Sequence, residues 1–146
     1  MASFHLRIVE HFEAKGHPNL KATNAATIEV TKESYLTPKG DCIVAVSSTK
    51  AAVDLSEEFK KAARNLDAII TLEIEHCGER FFVSGRGAPQ LTFMHPHDMV
   101  ARRSAFLSDR TIMILADKAA KDMPRSMVRS LTNPESVVDV SLQVDV

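Results

Sequence analysis

Residues 16–37 read GHPNLKATNAATIEVTKESYLT, and residues 87–108 read GAPQLTFMHPHDMVARRSAFLS. Laid over one another at an offset of 71 positions, they bring Gly16 onto Gly87, Pro18 onto Pro89, Leu20 onto Leu91 and Asn24 onto His95. Further along, Ile28 meets Met99, Lys32 meets Arg103, Tyr35 meets Phe106 and Leu36 meets Leu107. With two residues dropped and one gained, 43–46 falls on 112–115, and KAAVDL at 50–55 falls on KAAKDM at 118–123. A colinear series of this kind reads as an internal duplication. The alternative is two βα units that resemble each other through shared periodicity.

Each half decodes in the same way. An opening strand alternates through Phe4, Leu6 and Ile8 in the first half and through Ile70, Leu72 and Ile74 in the second. Cys77 to Arg80 reads as a turn leading into FFVSG, a hairpin. A middle strand follows the GxPxL corner, ATIEVTKE in one half and LTFM plus MVARRS, interrupted by HPHD, in the other. The third strand, CIVAVSS or TIMILA, is continuously apolar and therefore expected to be buried on both faces. A helix follows, with Leu55, Phe59, Ala62 and Leu66 or Met123, Met127 and Leu131 at helical spacing. Asp54 and Asp122 are placed to cap it, and Pro124 suits its first turn. The C-terminal VVDVSLQVDV alternates from Val138 onward, as an edge strand or a loose tail.

Two βββα-like halves, roughly 4–66 and 68–131, with a strand or tail at 132–146, bury their apolar faces most simply against each other. The expected fold is a β-rich α+β single domain with pseudo-twofold symmetry, a curved sheet or small barrel, and two outer helices.

A hydrophobic content of 45% against 25% charged residues is that of a folded chain, long enough to bury a sizeable core. Cys42 and Cys77 show no ligand spacing, so a disulfide framework is not expected. No window approaches a membrane span, and a cytoplasmic location without membrane association is expected. The net charge of -1 speaks against a uniformly basic nucleic-acid coat. The charge is uneven, however: positions 54–79 hold seven acids and three bases, whereas 80–110 hold five arginines and two aspartates.

The segments GHPNLKAT, TIEVTKE, LTPKGDCIVAV and DMVARRSAFLSDRTIMILADKAAKD resemble the chiefly archaeal family designated domain of unknown function 371. The resemblance runs from about Glu10 to Leu131. It implies an archaeal-type intracellular protein of one domain and supplies no substrate. It also leads one to expect a histidine where this chain has Asn24, so an activity depending on that histidine would be in question.

Two kinds of chemistry have candidates. His95 and His97 lie two apart, on one face of an extended segment, and with Asp98 form the candidate catalytic set for a metal-assisted hydrolase or nuclease. Two histidines are too few for a catalytic metal site, so no metal is assigned; if a divalent cation were bound, His95 and His97 would be its first ligands. Arg86, Arg103 and Arg110, with His17, Asn24 and Lys32, are candidates for holding an anion, since guanidinium grips phosphate or carboxylate through paired hydrogen bonds. Glu29 reads as a surface acid or as one of a carboxylate pair with Asp41. The leading expectation is a binding protein for a small anionic ligand, nucleotide or nucleic-acid segment at the junction of its halves. The hydrolase or nuclease is the alternative.

Overall fold

The computed structural model describes residues 6–146; Phe4, counted above in the opening strand, lies outside them. The strands are β1 (Arg7–Lys15), β2 (Thr27–Thr31), β3 (Ile43–Ala45), β4 (Ile69–His76), β5 (Glu79–Arg86), β6 (Asp98–Arg102), β7 (Thr111–Met113) and β8 (Val137–Asp145). Two seven-residue helices, α1 (Glu57–Ala63) and α2 (Arg125–Leu131), follow 3-10 turns at Ala52–Asp54 and Ala120–Asp122. The α+β class is therefore as expected, but the strands form two four-stranded sheets rather than a closed barrel.

The first sheet runs β1-β8-β4-β5, antiparallel throughout. The C-terminal strand thus lies inside the sheet between β1 and β4, not at its edge. Its alternation arises because one face, Val138, Val140, Leu142 and Val144, meets the core while the other meets water. The second sheet runs β3-β2-β6-β7: β2 and β6 pair antiparallel, and β3 and β7 add in parallel on either side. Ile28, Val30, Met99 and Ala101 turn inward toward Ile70, Leu72, Ile74 and the apolar face of β8, in one contiguous core.

The sheets touch at both margins through single bridges, Lys15 with Val46 and Arg86 with Ile114. Neither bridge extends into a ladder, because the next residues, Ser47 and Leu115, take positive φ of 51° and 54° and turn the chain away. That is the local reason the barrel stays open.

Several elements differ from the sequence reading. LTFM is not a strand: Phe93 has φ 53°, and Leu91 and Phe93 are buried as plugs, Phe93 edge-on to Phe59 of α1 at 6.1 Å. Asp54 and Asp122 accept from the backbone N–H of Ala51 and Ala119, both at 2.9 Å, and so close the 3-10 turns rather than cap the α-helices. Ser56 caps α1, accepting from the Phe59 N–H at 3.1 Å, and Pro124 stands at the N-cap of α2. Leu66 lies beyond α1 and is exposed.

The GxP corners have a specific task. The N–H of Ala88 donates to the Ala63 carbonyl at 3.1 Å, and the N–H of His17 donates to the Leu131 carbonyl at 2.9 Å, so each corner satisfies a carbonyl at the end of a helix. A Cβ on Gly87 would lie inside van der Waals contact of the Ala63 and Asn65 carbonyls, and one on Gly16 would meet those of Leu131 and Asn133. Only glycine permits this approach. Gly87→Ala is therefore expected to cost about 1–3 kcal/mol, the range for forcing volume into a packed site, and to lower the melting temperature by several degrees. A thermal melt unchanged within about a degree would contradict the close approach.

Candidate functional site

On β2 and β6 the side chains that do not face the core are Thr27, Glu29 and Thr31 opposite Arg102, Val100 and Asp98. The connections from β2 to β3 and from β6 to β7 come round over this outer face. They leave a cleft of about 320 Å³ lined by Glu29, Thr31, Glu33, Tyr35, Ile43, His95, His97, Asp98 and Arg110.

Glu29 sits in its depth, 8% exposed. The backbone of Glu29 is fixed by its N–H donating to the Cys42 carbonyl at 2.9 Å. Its carboxylate receives no hydrogen bond among the described residues; the nearest cation is Arg110, with Nη1 3.9 Å from Oε1. Arg110 is committed elsewhere, since the same Nη1 lies 3.1 Å from Asp98 Oδ2. The other Asp98 oxygen, Oδ1, accepts from the Thr31 hydroxyl at 2.7 Å. Arg102 donates to the hydroxyls of Thr111 at 2.8 Å and Ser108 at 3.1 Å and lies 4.9 Å from the Phe106 ring centroid. Burial first, and then the Asp98 charge, raises the Glu29 pKa to about 7 against the opposing pull of Arg110 and Arg102. Burial and the Glu29 charge push the Cys42 thiol to about 11, so it stays protonated near neutrality.

His95 has a structural task. Its Nδ1 accepts the backbone N–H groups of His97 at 3.2 Å and Asp98 at 2.9 Å, closing the turn into β6. With Nδ1 accepting, a neutral ring carries its proton on Nε2, which sets that N–H against the donor-only Arg110 Nη2 at 3.2 Å and leaves Asp98 Oδ2, at 3.9 Å, beyond hydrogen-bond distance. A histidine that binds metal through Nε2 ordinarily donates from Nδ1 to an orienting acceptor; here Nδ1 accepts instead. Asn24 does the same work at the entry to β2, its Oδ1 accepting from Ala26 N–H at 2.8 Å and Thr27 N–H at 2.9 Å. Asparagine and histidine thus present an acceptor to the same two positions downstream, which accounts for Asn24 where a histidine was expected. His97 lies at the rim, Nε2 3.7 Å from Glu33, its ring centroid 6.0 Å from that of His95. Among the described residues no three His, Cys, Asp or Glu side chains converge to hold a metal ion.

The cleft thus gathers His95, His97, Asp98 and Arg110 from the residues named from sequence. The others lie apart from its lining. His17 accepts from the Asn19 N–H at 3.0 Å, and Lys32 pairs with Asp54 at 3.3 Å. Arg86 is exposed at the end of β5, and Arg103, also exposed, is tied by its backbone to the Ala26 carbonyl. Glu29 is a carboxylate neighbour of Asp98; Asp41 instead accepts from Asn24 Nδ2 at 3.2 Å. Glu33, Thr31, Tyr35 and Ile43 went unremarked as site residues. The available signal was that Thr27, Glu29 and Thr31 share one face of an otherwise apolar strand.

A larger hollow of about 580 Å³, lined in part by His76, Cys77, Arg129 and Asn133, is less organised. His76 Nδ1 donates to the Val137 carbonyl at 3.0 Å. Cys77 Sγ lies 3.4 Å from His76 Nε2 and 3.9 Å from Nδ1. Such nearly equal distances put the sulfur over the ring rather than along a nitrogen lone pair, so the pair is not aligned for proton transfer.

The raised Glu29 pKa has a consequence for stability. Between about pH 4.5 and 7 the folded protein holds a proton that the unfolded chain releases, so this group's contribution falls as pH rises through that window and is least favourable above pH 7. At roughly 1.4 kcal/mol per pKa unit the full effect is on the order of 3 kcal/mol. Glu29→Gln is expected to raise the melting temperature at pH 8 by several degrees and to change it little at pH 4.5. An equal effect at both pH values would contradict the assignment.

No helix among the described residues is long and apolar enough to cross a membrane. The sequence pattern of the family described as Domain of unknown function (DUF371) matches residues 12–145. The chain is also 44% identical over 126 residues to an uncharacterized protein of Methanocaldococcus jannaschii, a match covering 86% of this chain and 93% of that one. On the extent of both matches, the chain belongs to the DUF371 family.

Proposed function

We propose that this protein binds a small polar molecule in the cleft on the outer face of the β2–β6 pair, at the junction of two duplicated halves. The observation that carries the reading is Glu29: a carboxylate nine-tenths buried, lining an open cleft, with no hydrogen bond donated to it among the described residues. Its oxygens open onto the cleft, where a ligand offering donors can take the place of solvent at a carboxylate otherwise shielded from water.

The duplication is supported by correspondences that periodicity alone does not require. Thr27 pairs with Arg102 and Thr31 with Asp98, and Glu29 pairs with Val100, its own equivalent at the offset of 71. Lys32 N–H donates to the His97 carbonyl at 2.8 Å and Arg103 N–H to the Ala26 carbonyl at 3.0 Å, a reciprocal pair at the same offset. Ala22 and Phe93, like Ser47 and Leu115, take matching positive φ. On this reading the repeat is better drawn with β1 equivalent to β5 and β4 equivalent to β8, the halves meeting at the Cys77–Gly78 turn. A pseudo-twofold axis then passes through Glu29 and Val100. The two differ there, carboxylate against valine, and that asymmetry gives a single site in place of two half-sites.

The hydrolase alternative is less favoured, because His95 is committed to its turn and leaves His97 alone at the rim. Nucleic-acid binding is less favoured because Arg86 and Arg103 are not among the residues that line the cleft with Arg110.

The test is an NMR screen of small amines, amides, carboxylates and phosphates against isotope-labelled protein and against Glu29→Val, which places the same residue on both sides of the axis. At least one class is expected to move the backbone amides of Thr31, Asp98 and Arg110 in the native protein and not in the variant. Shifts confined to the His76–Arg129 hollow, or identical in both proteins, would contradict the reading.

A further inference from the structure

We infer that the ligand of this cleft presents a positively charged nitrogen group, an amidinium or ammonium, to the carboxylate of Glu29. The inference rests on the binding reading above and gives it a chemical class.

The fixed charges point this way. Three carboxylates line the cleft, Glu29, Glu33 and Asp98, against the guanidinium of Arg110; Arg102 faces Glu29 from beside it. With the histidines neutral and Glu29 ionised, as above about pH 7, these five groups sum to a single negative charge. Arg110 is held against Asp98 at 3.1 Å, and Arg102 against two hydroxyls and the Phe106 ring, so neither is free to neutralise Glu29 at hydrogen-bond distance. A cation brings the cluster to neutrality and gives Glu29 the charge-assisted hydrogen bonds it lacks. An anion would add a second negative charge beside a buried carboxylate, where low local polarity makes repulsion expensive. A neutral donor would supply hydrogen bonds but leave the buried charge uncompensated.

Two other features fit a cation. The exposed Tyr35 supplies an aromatic group to the lining, and such rings attract organic cations. Asp98 also lies near enough to Glu29 for the two carboxylates to feel each other's charge, and a cation beside them relieves that repulsion. The groups facing Glu29 are Asp98 and Arg102 from β6, Arg110 ahead of β7 and Cys42 ahead of β3, the last held as a thiol near neutrality; His95 and His97 share the cleft lining, and because imidazole ordinarily gains charge in the same pH range, Glu29→Gln is needed to separate the carboxyl from the histidines.

The experiment compares benzamidine, benzamide, benzoate and inorganic phosphate as probes, followed by the amide signals of Thr31, Asp98 and Arg110. At pH 8 benzamidine is expected to bind at least tenfold more tightly than benzamide. Its affinity should fall at least tenfold between pH 8 and pH 5.5 as Glu29 takes up its proton while the probe stays cationic, and this fall should be largely absent in Glu29→Gln, which retains both histidines of the cleft. Glu29→Gln, which keeps size and shape, should abolish the preference for benzamidine while its spectrum remains that of a folded protein. Benzamide binding as tightly as benzamidine, or benzoate or phosphate binding best at the same residues, would overturn the charge assignment and leave the cleft as a binding site. No probe moving those residues would overturn the class and the binding reading together.

Discussion

The five-residue antiparallel ladder between β2 and β6 holds the second sheet together. The flanking strands β3 and β7 are three residues long, too short to stand alone, and each attaches in parallel to a strand of this central pair. Parallel attachment requires the chain to cross over before returning, and the crossings place residues 32–42 and 103–110 over the sheet's outer face. The cleft is thus a by-product of the pairing pattern: a sheet face that would otherwise meet water is partly roofed by its own connections. Register then decides what lies on the floor. A slip of one residue would exchange Glu29 for Ile28 or Val30, so the apolar demand of the core fixes the position of the polar site.

The two sheets depend on one another through the same ladder. Its inward side chains, Ile28, Val30, Met99 and Ala101, complete the core begun by β4 and β8. The marginal bridges at Lys15–Val46 and Arg86–Ile114 orient the sheets without fusing them. The helices are short, and their ends are satisfied by the glycine corners, so Gly16 and Gly87 couple the end of each helix to the chain leaving β1 and β5.

Much of this was legible in the sequence because it is local. The KAAxD hexapeptides announce a tight turn before a helix, and their aspartates do accept backbone N–H groups, though in the 3-10 turn ahead of the helix itself. The burial of β3 and β7 followed from their unbroken apolar runs, but their parallel attachment to β2 and β6 did not. What failed was of two kinds. LTFM is apolar because Leu91 and Phe93 plug the core from an irregular segment, and a short apolar run does not distinguish a strand from a plug. VVDVSLQVDV alternates whether it lies at an edge or inside a sheet with one wet face, so its central place was not readable. Four of the nine residues proposed for the site line one cleft. Glu29 reads from sequence as a surface acid or as one of a carboxylate pair with Asp41; it is buried beside Asp98 instead, a relation that depends on a long-range register alternation does not encode.

The site turns on Glu29, a largely buried carboxylate that opens to a cleft and receives no hydrogen bond among the described residues. The most direct test is a titration of the Glu29 side-chain carboxyl carbon by NMR in the native protein without added ligand, assigned by loss of the signal in Glu29→Gln. The account predicts a midpoint near pH 7, with the signals of Asp98 and Arg110 responding in the same range. A midpoint between about 4 and 5, the ordinary range for a glutamate in water, would mean that the carboxylate is solvated and would contradict the account of the site.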